Sequence, residues 1–480
     1  MEWVLGKASS RADENGGLII IALALVQAVI QTAFPLVDVK FSSDSADYVQ
    51  AAAYRGFAYP FFLDLFDGFA DPLRAAVVGQ IWVFSAAACL LSVTLARATG
   101  HSCAGLVLLG ILIINPMTIY FNYSILSESL FQSATCVYLA CLVQAIHGPK
   151  PWHFAALGMT VGAMIAIRPV GFALLPILIV VVLCASYING RRPWAGLALA
   201  VLGVTFVLLA DRAAYDLRHD EPRESVLGNV LFAKSAMFAA GPSPYAPDDP
   251  RTEVWIILEE EGPADAREAI SRAPFGPVSF FLMHSYEASL IFLYEKDRLQ
   301  SIADRIGIPK TELMAEIGSR RILANPTGFL RFPLQHYAAL WQPFYHAVTA
   351  NDITAYIAQN GPFPMDNALG YITRDVFDPP HARLIHSALA IGWLASILIL
   401  AASILWLRRN WPGRQMLTLA GLGVLSLHAL LFLSATLSIA SVRYLAALWP
   451  IVAVVICASF LVVLKLYDRR KKHARRSLEI

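Results

Sequence analysis

Charged residues are scarce in this chain: Asp, Glu, Lys and Arg make up 15% of its 480 residues, against a hydrophobic share of 57%. That ratio excludes an ordinary soluble domain, where about a quarter of residues are charged. A mean hydropathy of +0.57 points the same way. A basic surplus is missing too, since the formal net charge is +2, and no basic patch with interleaved aromatics points to a nucleic-acid partner. The six cysteines, Cys89, Cys103, Cys136, Cys141, Cys184 and Cys457, fall inside apolar stretches, none paired with a nearby histidine at metal-ligand spacing. They read as small core residues, not as disulfides or ligands. No Walker loop, HExxH or GxSxG elbow stands in a supportive setting, which leaves nucleotide, zinc and serine hydrolysis without a basis. Internal repeats and low-complexity tracts are absent.

What is there is a series of apolar runs near the length of about 20 residues that a membrane helix needs. They lie at 17–36, 74–97, 103–121, 126–147, 153–167, 170–188, 194–210, 384–407, 416–437 and 444–466. The expected fold class is an all-α polytopic membrane protein of about ten spans. Arg168-Pro169 separates two short spans, because a residue before proline leaves the helical region. Arg97, Lys150, Arg191, Arg192, Arg408, Arg409, Arg414 and the tail YDRRKKHARRS fall on one set of alternating connections. By the positive-inside rule that set, and both ends of the chain, are cytoplasmic; the tail suits anionic lipid. The expected organisation is an N-terminal bundle at 1–210 with its first outer loop at 38–73, an outer-face region at 211–383, and C-terminal helices with a basic tail at 384–480. Within the middle region, 277–294 and 328–346 are amphipathic and aromatic, and read as either interfacial helices or spans.

Chemistry-bearing residues collect at the outer ends of these spans. The stretch FSSDSADYVQAAAYRGFAYPFFLDLFDGFAD at 41–71 carries five aspartates interleaved with Tyr48, Tyr54, Phe57 and Tyr59. Asp44 and Asp47 share a helical face, with Tyr48 beside them. They read either as a carboxylate base toward a hydroxyl or as a solvated, capped helix start. Glu128, in NYSILSESLFQ, reads either as part of a helix cap or as a second outer-face carboxylate that binds a sugar hydroxyl or positions a metal. Arg168 in AIRPVGF and Arg443 in SVRYLAALWP are embedded in apolar sequence. A charge there faces a cavity, forms a pair or snorkels, and guanidinium suits phosphate. Lys234, in GNVLFAKSAMF, is of the same type. Histidines such as His336 and His428 stand singly in apolar or aromatic surroundings, as satisfied interior groups do.

The order of DSADYVQAA, RGFAYPFF, SESLF, IRPVGFALLP, NPTGFL and SVRYLAALWP resembles the GT-C superfamily of integral-membrane glycosyltransferases, which use polyprenyl-phosphate sugars. The chain is similar in this to the lipid A aminoarabinose transferase and the protein O-mannosyltransferases. The resemblance covers about 17–212 and again from about 325 onward, on motifs that are short and tolerant. It implies an inverting transfer of sugar from a polyprenyl-phosphate donor to a glycan, lipid or protein acceptor on the outer face of a bacterial inner or plasma membrane. It implies that Asp44 is the catalytic aspartate, Tyr48 the loop tyrosine and Glu128 the second acidic position. The acid that often follows the first aspartate is Ser45 here, with Asp47 the nearest substitute. Tyr59, Arg168, Lys234, His336 and Arg443 complete the expected substrate-binding set. The resemblance fixes no cofactor; a divalent cation is compatible, since members of the superfamily differ, and no ligand set in the sequence stands out. Two other readings fit a polytopic chain: an O-antigen-ligase type of enzyme that uses lipid diphosphate donors, in which Arg331 and His336 would be central, and a lipid or solute transporter.

Overall fold

The computed structural model describes residues 2–33, 39–42, 44–52, 55–220, 227–261, 296–341, 382–407, 413–437 and 446–478. Among them the chain is almost entirely helical, with no strand and one isolated parallel bridge between Lys40 and Ser124. Among the described residues seven helices are long and apolar enough to cross a bilayer: Asn15–Ala33, Pro72–Thr99, Glu128–His147, Pro169–Ile188, Trp194–Arg218, Arg414–Leu437 and Trp449–Tyr467. The protein is an all-α polytopic membrane protein.

The chain forms two compact units. The first comprises Met1–Arg223, Ala395–Leu430 and Leu445–Ile480; the second comprises Glu224–Leu394 and Leu431–Tyr444. In the first unit the helices are α1 (Glu2–Ala33), α2 (Ser45–Val49), α3 (Ala58–Asp64), α4 (Pro72–Thr99), α5 (Ser102–Ile114), α6 (Pro116–Asn122), α7 (Glu128–His147), α8 (Pro151–Ile167), α9 (Leu174–Ile188) and α10 (Trp194–Arg218). The second unit holds α11 (Leu227–Ser235), α12 (Pro250–Ile256), α13 (Lys296–Ile306), α14 (Lys310–Ala324) and α15 (Pro326–Leu340). Then come α16 (Ala382–Trp406), α17 (Arg414–Leu437) and α18 (Trp449–Leu478).

Three expected spans differ from the simple picture. The run at 103–121 is α5 and α6, bent by 63°. The cause is Pro116: it pushes Asn115 to an extended conformation (φ −64°, ψ 117°), and the Asn115 side chain then caps α6 by accepting from the Met117 and Thr118 amides. On the near side of the bend, Trp449 Nε1 donates to the Ile111 carbonyl at 3.0 Å. The runs at 153–167 and 384–407 are helical, but their apolar parts, Pro151–Ile167 and Ile391–Trp406, are shorter than the seven. Arg168 ends α8 in an extended conformation, and a 3-10 turn at Pro169–Ala173 leads into α9. The stretch at 277–294 lies outside the described residues, as does the part of 328–346 beyond Trp341.

In the first unit α4 packs on α7, α1 on α4 and α5, α8 on α7 and α10, and α18 on α5 and α7. The α8–α10 contact is backbone on backbone. A Cβ at Gly158 would collide with the Ala200 carbonyl oxygen, and one at Gly203 with that of Ala155. Small residues at such crossings supply close packing where no hydrophobic drive exists between helices. Polar pairs add to it: Ser85 Oγ donates to Gln27 Oε1 at 2.6 Å, and the Tyr138 and Ser426 hydroxyls meet at 2.9 Å. Val201, Leu202, Phe206 and Leu209 of α10 are exposed, a surface suited to a hydrocarbon solvent.

The two ends of this bundle differ in charge. At one end Arg191 donates to the Pro149 carbonyl, Arg414 Nη2 to the Ile188 carbonyl at 2.9 Å, and Asn189 Nδ2 to the Ile146 carbonyl at 3.1 Å. The opposite end, at the start of α7 and the close of α8, gathers Asp44, Asp47 and Glu128.

Candidate functional site

The acidic end is assembled by hydrogen bonds between residues about 80 apart in sequence. Lys40 N donates to the Tyr123 carbonyl at 2.9 Å and Ile125 N to the Lys40 carbonyl at 3.0 Å, which lays the chain leading into α2 along the chain leading into α7. Ser45 Oγ donates to the Ile125 carbonyl at 2.9 Å, and the Tyr48 and Ser127 hydroxyls meet at 2.9 Å. The short helix α2 is thus fastened to the N-terminus of α7. Asp44 is the N-cap residue of α2, yet its side chain makes no capping bond. Arg55 Nη2 instead donates to Asp44 Oδ1 at 3.0 Å and to Asp47 Oδ2 at 2.7 Å. The guanidinium lies over the Tyr48 ring, 4.9 Å from its centroid.

A second ion pair stands beside the first. Arg168 Nη1 is 2.6 Å from Glu128 Oε1, with the Glu128 side chain 1% exposed and that of Arg168 13%. Tyr48 feels both pairs. Burial pushes its phenol above the ordinary value, Arg168 and Arg55 pull it down, and Glu128 pushes it up. Tyr59 packs edge-on against Tyr48 with ring centroids 4.9 Å apart, and burial holds its phenol well above the ordinary range. Its hydroxyl donates to Gln80 Oε1 at 2.6 Å, and Gln80 Nε2 donates to the carbonyls of Asn122 and Ser124 at 3.2 and 3.1 Å. Asp44, Asp47, Tyr48, Tyr59, Glu128 and Arg168, six of the residues singled out in the sequence, therefore meet at this one end.

The remaining aspartates of the loop do other work. Asp71 caps α4 by accepting from the Arg74 amide at 3.1 Å, and Asp64 pairs with Arg218. Lys234 and His336 belong to the second unit, where both are fully buried and Lys234 Nζ lies 3.3 Å from His336 Nδ1. His428 Nε2 meets Ser396 Oγ at 2.9 Å. Arg443 lies outside the described residues. The motif NPTGFL is a helix start: Asn325 Oδ1 accepts from the Gly328 amide at 2.8 Å, ahead of Pro326 in the first turn of α15.

Sequence reasoning missed Arg55, Gln80 and Ser127. A signal existed for two of them: Arg55 is the lone cation between Phe41 and Asp71, and Gln80 is a polar side chain within an apolar run. Ser127 looked like a capping residue, but at the N-cap of α7 its side chain makes no capping bond and meets Tyr48 instead. Among the described residues no group of three or more His, Cys, Asp or Glu is placed to hold a metal ion. The two adjacent carboxylates, Asp44 and Asp47, are both engaged by Arg55. What the arrangement offers chemically is a partly exposed carboxylate pair, backed by a buried phenol and a buried ion pair. No protein-family model, curated protein or solved structure matches the chain.

Proposed function

We propose that this protein is an inverting glycosyltransferase of the GT-C type, moving a sugar from a polyprenyl-phosphate donor to an acceptor hydroxyl at the acidic end of its first unit. The observation that carries the reading is the placement of Asp44. It sits at the mouth of a helical bundle, its side chain 20% exposed, beside a second carboxylate and within a cluster that also holds Arg168. In the reaction Asp44 takes the proton of the acceptor hydroxyl while that oxygen attacks the anomeric carbon. The bond from the anomeric carbon to the phosphate oxygen breaks with inversion, and polyprenyl phosphate leaves as an anion. A fixed cation beside the leaving phosphate favours that charge as it develops; Arg168, in this cluster, is our candidate, and Arg443 is a second one on its sequence setting alone.

The orientation we propose puts the acidic end on the outer face of a bacterial inner or plasma membrane and both ends of the chain in the cytoplasm. Arg191 and Arg414 at the opposite end of the bundle support it through the positive-inside rule. We count about ten spans, with the bent pair and the two shorter apolar helices each crossing. The test is a transfer assay on protein reconstituted in lipid, with polyprenyl monophosphate and diphosphate sugars supplied separately to Asp44 and His336 variants. Transfer from the monophosphate donor that vanishes with Asp44→Asn supports the reading. Transfer from the diphosphate donor that depends on His336 replaces it with the ligase type of enzyme, and transport without transfer replaces it with a carrier.

A further inference from the structure

We propose that Arg55 is a positioning residue that holds Asp44 and Asp47 as one arginine-bridged carboxylate pair, and that this pair is the unit on which transfer depends. The proposal rests on the glycosyltransferase reading and adds to it a residue and a geometry that the family pattern does not supply. Three observations carry it. First, a single guanidinium nitrogen reaches both acids, at 3.0 and 2.7 Å. Asp44 and Asp47 are like charges three residues apart at the start of one short helix, a spacing at which they repel unless a cation lies between them. Second, the guanidinium is itself held: it rests on the Tyr48 ring, whose hydroxyl meets Ser127 at the head of α7. The position of the clamp is therefore set by a membrane helix and not by the loop alone. Third, the chain returns Arg55 to the acids through a turn in which Ala51, a buried non-glycine residue, adopts φ 47°. Ala52 N donates to the Asp47 carbonyl and Arg55 N to the Ala52 carbonyl, each at 2.8 Å, within that turn. A residue in the left-handed region persists where its surroundings over-determine it, and such positions cluster at functional sites.

Bridging holds one oxygen of the Asp44 carboxylate in place, and a reacting group displaced by about 1 Å can lose 10²-fold in rate. Among the described residues the charged and titratable neighbours include Tyr48 on α2, Tyr59 on α3, Glu128 on α7 and Arg168 at the end of α8. The two carboxyl groups among Asp44, Asp47 and Glu128 that flank Arg55 are the aspartates; Glu128 is taken by Arg168.

The test uses full-length protein in lipid nanodiscs carrying Arg55→Gln, Arg55→Lys, Asp47→Asn, or Arg55→Gln with Asp47→Asn. With a polyprenyl-phosphate sugar as donor, Arg55→Gln should lower kcat by about 10²-fold with KM unchanged. Arg55→Lys should restore part of the loss, and the double variant should be no slower than Arg55→Gln alone, since groups that act as a unit are not additive. A parallel measurement is independent of turnover: the rate at which a water-soluble carbodiimide labels Asp44 and Asp47, followed by mass spectrometry, should rise several-fold in Arg55→Gln. If that variant does not fold, Arg55→Lys carries both readouts. Wild-type kcat in Arg55→Gln, losses that multiply in the double variant, or unchanged labelling each overturn the clamp while leaving the transferase reading intact. A wild-type protein that transfers no sugar overturns the transferase reading and the role of the clamp in transfer with it, even where labelling shows that the clamp exists.

Discussion

The guanidinium of Arg168 lies 2.6 Å from the carboxylate of Glu128, at a point where the glutamate side chain is 1% exposed. A charge so deep is stable only while its partner is present. Glu128→Gln is expected to lower stability by about 3–5 kcal/mol, because it removes the buried carboxylate that faces the Arg168 guanidinium. Replacing both residues with methionine should recover most of that loss. Thermal unfolding in detergent reads both, and a single variant as stable as the wild type would show that the pair contributes nothing to the fold.

Asp44→Asn preserves size and a hydrogen-bonding oxygen but removes the base. Transfer should fall by about 10²–10⁴-fold, the usual worth of a general base. Expression level and unfolding temperature should change little, since the side chain makes no capping bond and its partly exposed contact with Arg55 is one that an amide oxygen can still accept. Turnover near the wild-type rate would remove Asp44 from the mechanism.

Tyr48 and Tyr59 are buried phenols whose pKa burial raises above the ordinary 10.0. Between that value and the higher folded one, the unfolded chain has lost the proton and the folded chain keeps it. Stability is therefore full below about pH 10 and falls as the pH rises beyond it. Phenolate absorbance near 295 nm should lag in the folded protein relative to the unfolded one, and Tyr48→Phe with Tyr59→Phe should narrow the lag. Equal titration of folded and unfolded protein would contradict the burial of these rings.

Acid should act on the second unit through Glu259. Burial pushes this carboxyl up, but the Arg321 guanidinium at 2.7 Å and the amides of Gly241 and Ala240 outweigh it and hold the group below its ordinary 4.5. The stability this provides is complete above about pH 4.5 and is lost as the pH falls through the lower folded value. Arg321→Met should flatten the acid limb of unfolding followed by the fluorescence of Trp255, which lies under the Arg321 guanidinium. A limb unchanged in that variant would assign the acid sensitivity to other groups.

The apolar helices were legible because a bilayer demands a run of about 20 apolar residues, and only a helix satisfies the backbone inside it. The bend at Pro116 was hidden in such a run, since composition alone does not weigh one proline against its apolar neighbours. Of the candidate site, Asp44, Tyr48, Glu128 and Arg168 could each be picked out singly, as polar residues at the ends of spans. Their convergence could not, because it depends on contacts such as Tyr48 with Ser127, 79 residues apart. Arg55 was passed over for a related reason: among five aspartates one arginine looks like a counter-ion, and only geometry shows that it binds two particular acids. Lys234 and His336, noted separately, meet across 102 residues.

The bond from Trp449 to the Ile111 carbonyl has a consequence in time. Pro116 holds Asn115 extended, so the residue whose amide would close onto the Ile111 carbonyl has left the helix, and a carbonyl at membrane depth needs some donor. The donor supplied by Trp449 is 338 residues downstream, which at a synthesis rate of about 5–20 residues per second arrives roughly 20 to 70 s later. Through that interval the bend that leads toward the acidic end lacks this closing bond, so its final geometry is sealed late, when the helix that begins at Trp449 enters the bilayer.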